Sequence, residues 1–325
     1  MSKYVVTGAA GFIGARVVDL LLEDGHEVIG VDNLSKTYDV RLKEWRLARL
    51  LISTRFKFFQ NDISDRSIID RLADEATGAQ GLINLAARAG VRSSVQDPWS
   101  YYDTNVTGAL NMLELCRQTG IGKFVQASSS SVYGENNPMP YLEDANTDLP
   151  LQPYAASKKA SEVLAYTYHY LHQLDVTVLR YFTVYGPAAR PDMAMFRFTQ
   201  WIAEGKPVKI NGDGNQSRGF TYVDDIARGT IQALKPLGYE IINLGGHEVV
   251  TMIDLIHLFE QKLGKKANLI FEPRHMADAL GNWASSEKAQ SLLDWKAEIG
   301  LNEGVSRLVE WYLTERSWAS EVITG

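Results

Sequence analysis

The sequence predicts an α/β fold, a doubly wound parallel sheet with a smaller C-terminal α/β lobe. Three observations carry that expectation. Apolar, β-branched runs alternate with helical periodicity through the first half of the chain. Glycines recur at Gly8, Gly11 and Gly14, between the first such run and the first helix. An acid, Asp32, ends the second run.

The first strand is Tyr4-Val5-Val6-Thr7, and Ala15 to Leu22 continue as a helix. Between them the spacing is Gly-x-x-Gly-x-x-Gly. Gly8 permits a tight turn, Gly11 lets backbone N–H groups approach a pyrophosphate, and Gly14 lets helix pack close on strand. The helix N-terminus, with Phe12 and Ile13 in its first turn, then faces the anion. The second strand, Glu27 to Asp32, ends in a carboxylate followed by Asn33. A carboxylate there accepts from ribose hydroxyls and repels a 2′-phosphate, favouring NAD over NADP. Lys36 and Arg41, close behind, weaken that preference slightly. The third strand, Phe56 to Gln60, leads to Asp62 and Ile63, expected against the adenine. The fourth, from Gly81, brings Leu85 and the small residues Ala86 and Ala87 to the cofactor. The fifth, Phe124 to Ala127, ends in four serines, Ser128 to Ser131.

Ligands of such sheets sit outside the carboxyl ends of the strands, which is where these serines fall. One hydroxyl would hold a substrate oxygen while the others cap the turn. Tyr154-Ala-Ala-Ser-Lys158 then places a phenol and an ammonium on one helix face. A free tyrosine, with a pKa of about 10, is a poor base at neutral pH. The lysine cation is expected to favour the phenolate and so to make Tyr154 a usable acid–base group.

With 325 residues, 45% hydrophobic and 22% charged, the chain can bury a large core. A net charge of −6 without a basic block argues against nucleic acid as a partner. The lone Cys116 excludes an internal disulfide and reads as core filler. The first strand starts too near Met1 for a signal peptide, and no apolar run approaches the ~20 residues of a membrane span. A cytoplasmic protein is expected. No metal site is read from the sequence.

Together these motifs resemble the extended short-chain dehydrogenase/reductase family over nearly the whole chain, and a Rossmann-type, NAD-binding fold is what that resemblance implies. Within the family, Ala89-Gly90-Val91-Arg92 and Arg180-Tyr181-Phe182-Thr183-Val184-Tyr185-Gly186-Pro187, followed by Arg190-Pro191-Asp192-Met193-Ala194, look most like the UDP-glucuronate 4-epimerases. The resemblance implies Ser129, Tyr154 and Lys158 as catalytic residues, with Lys158 and Tyr181 also at the cofactor. It implies a UDP-sugar substrate touched by Ser128, Ser130, Arg92, Thr183, Arg190, Arg218, Arg274 and Asp278. Arg190 would read a sugar carboxylate, since a guanidinium takes both oxygens at once. Departures from the family's pattern fall at Asn84, Arg88, Gly219, Gly281 and Ser285.

The same resemblance implies 4-epimerisation through a transient 4-keto sugar, with no net redox change. A neutral-sugar UDP-glucose/UDP-galactose 4-epimerase and a UDP-glucuronate decarboxylase stay open, as does an NAD-sensing domain with a dead site. Residues 1–186 are expected to form the NAD-binding domain, with return segments near 220–245 that include Ile226 to Ala233. Residues 187–325 are expected mainly in the nucleotide-sugar lobe, a region holding strands such as Val208-Lys209-Ile210 and Glu240-Ile241-Ile242-Asn243. As in relatives, a homodimer is expected through the apolar faces around Val106 to Leu115 and Ser161 to Leu171.

Overall fold

The structure is a computed structural model and describes residues 1–246, 248–273 and 281–324. Its centre is a seven-stranded sheet. The strands are β1 (Lys3–Thr7), β2 (Glu27–Asp32), β3 (Phe56–Gln60), β4 (Gly81–Asn84), β5 (Lys123–Ser129) and β6 (Asp175–Tyr181). After β7 (Thr183–Tyr185), β8 (Pro207–Asn211) and β9 (Ser217–Tyr222), which lie elsewhere, β10 (Tyr239–Leu244) joins it. The order is β10-β6-β5-β4-β1-β2-β3, and every pairing is parallel. All carboxyl ends therefore emerge on one edge.

Parallel strands covered on both faces read as continuous apolar runs, and these do. Val5 and Val6, adjacent in β1, enter different cores. Val6, Ile83, Val125 and Leu179 pack under the Phe12–Glu23 and Val223–Gln232 helices. Val5, Leu82, Phe124 and Val178 pack under the Ile68–Ala76 and Gly108–Thr119 helices, where Cys116 is also buried. Each fully buried aliphatic side chain contributes about 1.5–3 kcal/mol. Arg16 ties the Phe12–Glu23 helix to Asp224 of the Val223–Gln232 helix at 2.9 Å.

A second layer gathers β7, β9, β11 (Glu248–Thr251) and β13 (Gly281–Asn282) into one small sheet. A parallel pair joins β8 to β12 (Asn268–Glu272). Their core is aromatic, with Phe196, Phe198, Trp201, Phe259, Trp311 and Tyr312 all buried. Among the described residues no helix is long and apolar enough to cross a membrane.

Candidate functional site

The turn after β1 is shaped by its glycines. Gly8 sits at φ +67°, and a Cβ there would come within 2.8 Å of the Ala86 backbone nitrogen. A Cβ on Gly14 would lie 2.0 Å from the Gly8 carbonyl oxygen, so only glycine lets helix and turn meet. No side chain caps the helix at Gly11, which leaves its first N–H groups to an anion.

A polar ladder fixes the strand ends beside this turn. Thr7 donates to Asn84 at 2.6 Å, and Asn84 donates to Gln126 at 2.9 Å. Thr7 also accepts the Ala86 N–H at 3.1 Å, which presses the Leu85–Ala86–Ala87 backbone against the turn. All the residues expected at the cofactor line one cleft of about 1290 Å³ along this edge. Asp32 is nearly buried, accepts the Ala10 N–H at 3.2 Å and pairs with Lys43 at 3.0 Å. Asn33 donates to Asp62 at 2.8 Å. Burial works against ionisation of Asp62, but hydrogen bonds from Ser64 and Asn33 outweigh it and hold its pKa low. Arg41 is taken by Asp39 at 2.7 Å and Glu321 at 2.8 Å. The Gly cradle, the uncapped helix and the paired acids fit a dinucleotide.

Pro153 starts the next helix, Pro153–His172, so Tyr154 falls in its first turn and Lys158 one turn on. Both line the cleft. Tyr101 meets the Tyr154 ring edge-on, with centroids 6.1 Å apart. Burial raises the Tyr154 pKa, while a hydrogen bond with Ser129 and the charge of Arg190 pull it back. Arg190 is thus one cation on this cleft that favours the phenolate. Lys158, expected in that role, donates to the Ala127 carbonyl at 2.9 Å, and burial pushes its pKa down to about 8. Spacing puts the two side chains on one face but says nothing of where the ammonium ends.

The residues expected at the substrate divide. Ser128 lines the cleft, yet its hydroxyl is given to Glu162 at 2.5 Å, inside a buried Glu162–Arg180 pair. Ser130 accepts from Asn282 at 3.0 Å. Ser129, Ser130, Thr183, Arg92 and Arg218 are not among the residues that line the cleft, with the Ser129 hydroxyl donating to Ser131 at 3.2 Å, Thr183 on β7 and Arg218 on β9. Arg190 lines the cleft and is held by Asp192. Burial opposes its charge, but Asp192 outweighs burial and raises its pKa. Arg274 and Asp278 lie outside the described residues.

Lys43, Tyr101, Asp192 and Glu162 were missed in the sequence. Lys43 lies eleven residues past Asp32 in number and gives no local signal. Glu162 follows Lys158 at the same helical spacing that relates Lys158 to Tyr154, and that period could have found it.

Known proteins share this chain's sequence pattern and fold. The pattern of the NAD dependent epimerase/dehydratase family matches residues 4–245. The chain is 53% identical over 312 residues to a UDP-glucuronate 4-epimerase of Thermodesulfobacterium geofontis (strain OPF15), covering 96% of each protein. The crystal structure of UDP-glucuronic acid 4-epimerase from Bacillus cereus, in complex with UDP-glucuronic acid and NAD, superposes with a TM-score of 0.90 at 36% identity, covering 96% of this chain and 99% of that one. A UDP-glucose 4-epimerase from Thermotoga maritima reaches a TM-score of 0.89 at 31% identity, over 97% of this chain and 99% of that one. A cleft with a glycine-built dinucleotide cradle beside a Tyr–Lys helix, on a chain this similar end to end, belongs to the NAD dependent epimerase/dehydratase family.

Proposed function

We propose that this protein is an NAD-dependent 4-epimerase that interconverts UDP-glucuronate and UDP-galacturonate. The observation that carries the reading is Arg190, a cation on the same cleft as Tyr154 and close enough to act on its phenol. Similarity to UDP-glucuronate 4-epimerases along nearly the whole chain supports it.

In this reading Tyr154 takes the proton of the sugar 4-hydroxyl and later returns one to the 4-oxygen. Ser129, bonded to Tyr154, holds the same oxygen in place. Gly8, Gly11 and Gly14 with Asp32 hold NAD, which when bound supplies the acceptor and donor of the C4 hydride. Lys158, fixed on Ala127 and lining the same cleft, would hold the nicotinamide ribose. A uronate ketone at C4 is a β-keto acid and can lose CO2. Arg190 opposes that loss by keeping negative charge on the carboxylate and holding the C5–carboxyl bond out of line with the carbonyl π-system.

The sugar must turn over between the two hydride transfers, so most affinity has to come from the UDP part. One observation favours a second reading, a neutral UDP-glucose/UDP-galactose 4-epimerase: the Arg190 charge is already met by Asp192. A homodimer goes with either reading. Val163, Tyr166 and Tyr170 are exposed on the Pro153–His172 helix, and Leu110 on the Gly108–Thr119 helix. A cytoplasmic setting fits the single, buried, unpaired Cys116.

The test is to incubate purified protein with UDP-glucuronate, without added NAD, and follow products by proton NMR. UDP-galacturonate is expected. A pentose with CO2 would reassign the enzyme as a decarboxylase. Conversion of UDP-glucose alone would establish the neutral-sugar reading.

A further inference from the structure

We propose that Asp192 is a built-in stand-in for the substrate carboxylate: it holds Arg190 whenever the sugar lets go, and so sets how tightly a uronate is gripped. The inference rests on the reading of Arg190 as the partner of a uronate.

Arg190 Nε donates to Asp192 Oδ1 at 3.0 Å, and Nη2 donates to Oδ2 at 2.5 Å. This is the two-pronged contact that a substrate carboxylate would make with the same guanidinium. Both residues line the cleft, on the connection between β7 and the Ala194–Ala203 helix, with only Pro191 between them. A third contact, Nη2 to the Ala89 carbonyl at 3.4 Å, keeps the guanidinium at the wall without a carboxylate's help.

Exposure is unequal. The Arg190 side chain is 24% exposed and that of Asp192 is 45%. The anion can therefore turn to water at small cost, whereas the cation cannot lose all its partners cheaply. Asp192 also lies within electrostatic reach of Arg197 on the following helix, a second cation for it to face when displaced.

Epimerisation gives this exchange a purpose. The ring must rotate between the two hydride transfers, and a carboxylate held by an otherwise unpartnered guanidinium would resist rotation. Asp192 replaces the departing carboxylate, so Arg190 is never left unpaired while the ring turns. A neutral hexose never displaces Asp192 and is indifferent to it.

The test is Asp192→Asn, which keeps size and removes charge. Calorimetry with UDP-glucuronate and UDP-glucose is combined with UDP-glucuronate turnover. The variant should bind UDP-glucuronate roughly tenfold more tightly, as expected when a charged competitor is removed. Its kcat should fall, because the ring is released more slowly, and its affinity for UDP-glucose should not change. Asp192→Glu should restore wild-type behaviour, and Asp192→Ser should repeat the Asn result if the Asn variant is poorly folded. Unchanged or weaker UDP-glucuronate binding, or equal shifts for both ligands, would overturn the stand-in. If the wild-type protein converts UDP-glucose but not UDP-glucuronate, the uronate reading itself falls, whatever the variants do. A wild type active on UDP-glucuronate with an unchanged Asn variant removes only the stand-in.

Discussion

The two halves of the cleft are built from different materials. On the cofactor side the decisive contacts belong to the backbone: the Gly8 turn, the uncapped helix at Gly11 and the close approach at Gly14. On the side proposed for the substrate they belong to side chains, Tyr154, Ser129, Arg190 and Asp192, whose charges and hydrogen bonds are already engaged with one another. Backbone sites are fixed by packing and tolerate no added atom. Side-chain sites can exchange partners, and a reaction in which the sugar turns over requires exchange on that side alone.

The largest effect should come from Tyr154→Phe, which leaves the cofactor half intact. Turnover is expected to fall about 10²–10⁴-fold, the usual share of a general acid–base group. Bound NAD, measured by its release on denaturation, should stay at the wild-type level. Loss of NAD along with activity would show that the halves are not separable.

Gly14→Ala probes the other half. Its Cβ would stand 2.0 Å from the Gly8 carbonyl oxygen, so turn or helix must shift. A stability loss of about 1–3 kcal/mol is expected for such overpacking. Co-purified NAD should be lost in the same variant, read by absorbance after gel filtration. Retention of NAD at full occupancy would mean that the cradle is softer than its contacts imply.

Lys158→Met tests a residue shared by both halves. Burial lowers the Lys158 pKa to about 8 from its usual 10.5. Between those values the unfolded chain binds a proton that the folded chain does not, so stability rises with pH across that window. Below pH 8 the buried ammonium carries its full cost. The Met variant should therefore be inactive yet more stable by roughly 2 kcal/mol at pH 7, after allowing for the lost bond to Ala127. That advantage should vanish above pH 10.5, as thermal melts of cofactor-stripped protein at the two pH values would reveal.

Ser129→Ala should have the smallest effect. The hydrogen bond from Ser129 lowers a Tyr154 pKa that burial raises. Without it the pKa climbs further, and the acid limb of the kcat profile moves to higher pH. Activity at neutral pH should fall about tenfold, the loss that follows when a hydrogen bond of roughly 1.4 kcal/mol no longer favours the phenolate. A profile of unchanged position but lower height would limit Ser129 to holding the substrate.

What could be read in the sequence follows the same division. The glycine spacing and Asp32 were legible because turn geometry depends on neighbours in the chain. The strands β1 to β5 were legible because buried parallel strands carry unbroken apolar runs. Side-chain destinations were not. Ser128 stands at a strand end that lines the cleft, but its hydroxyl goes to Glu162, thirty-four positions on. Lys158 shares a face with Tyr154, yet its ammonium ends on the Ala127 carbonyl of β5. Arg190 and Asp192 are neighbours in any reading, but only three dimensions show that one closes on the other.

The buried Asp32–Lys43 pair bears on how the enzyme could evolve. Changing the cofactor to one with a 2′-phosphate requires removing the Asp32 carboxylate. That change strands the Lys43 ammonium, 6% exposed, with no counter-charge, and breaking such a pair costs about 3–5 kcal/mol. A single step toward NADP therefore passes through a destabilised protein, and only a paired change at both positions avoids it. Cofactor choice in this chain is protected by folding stability as well as by recognition.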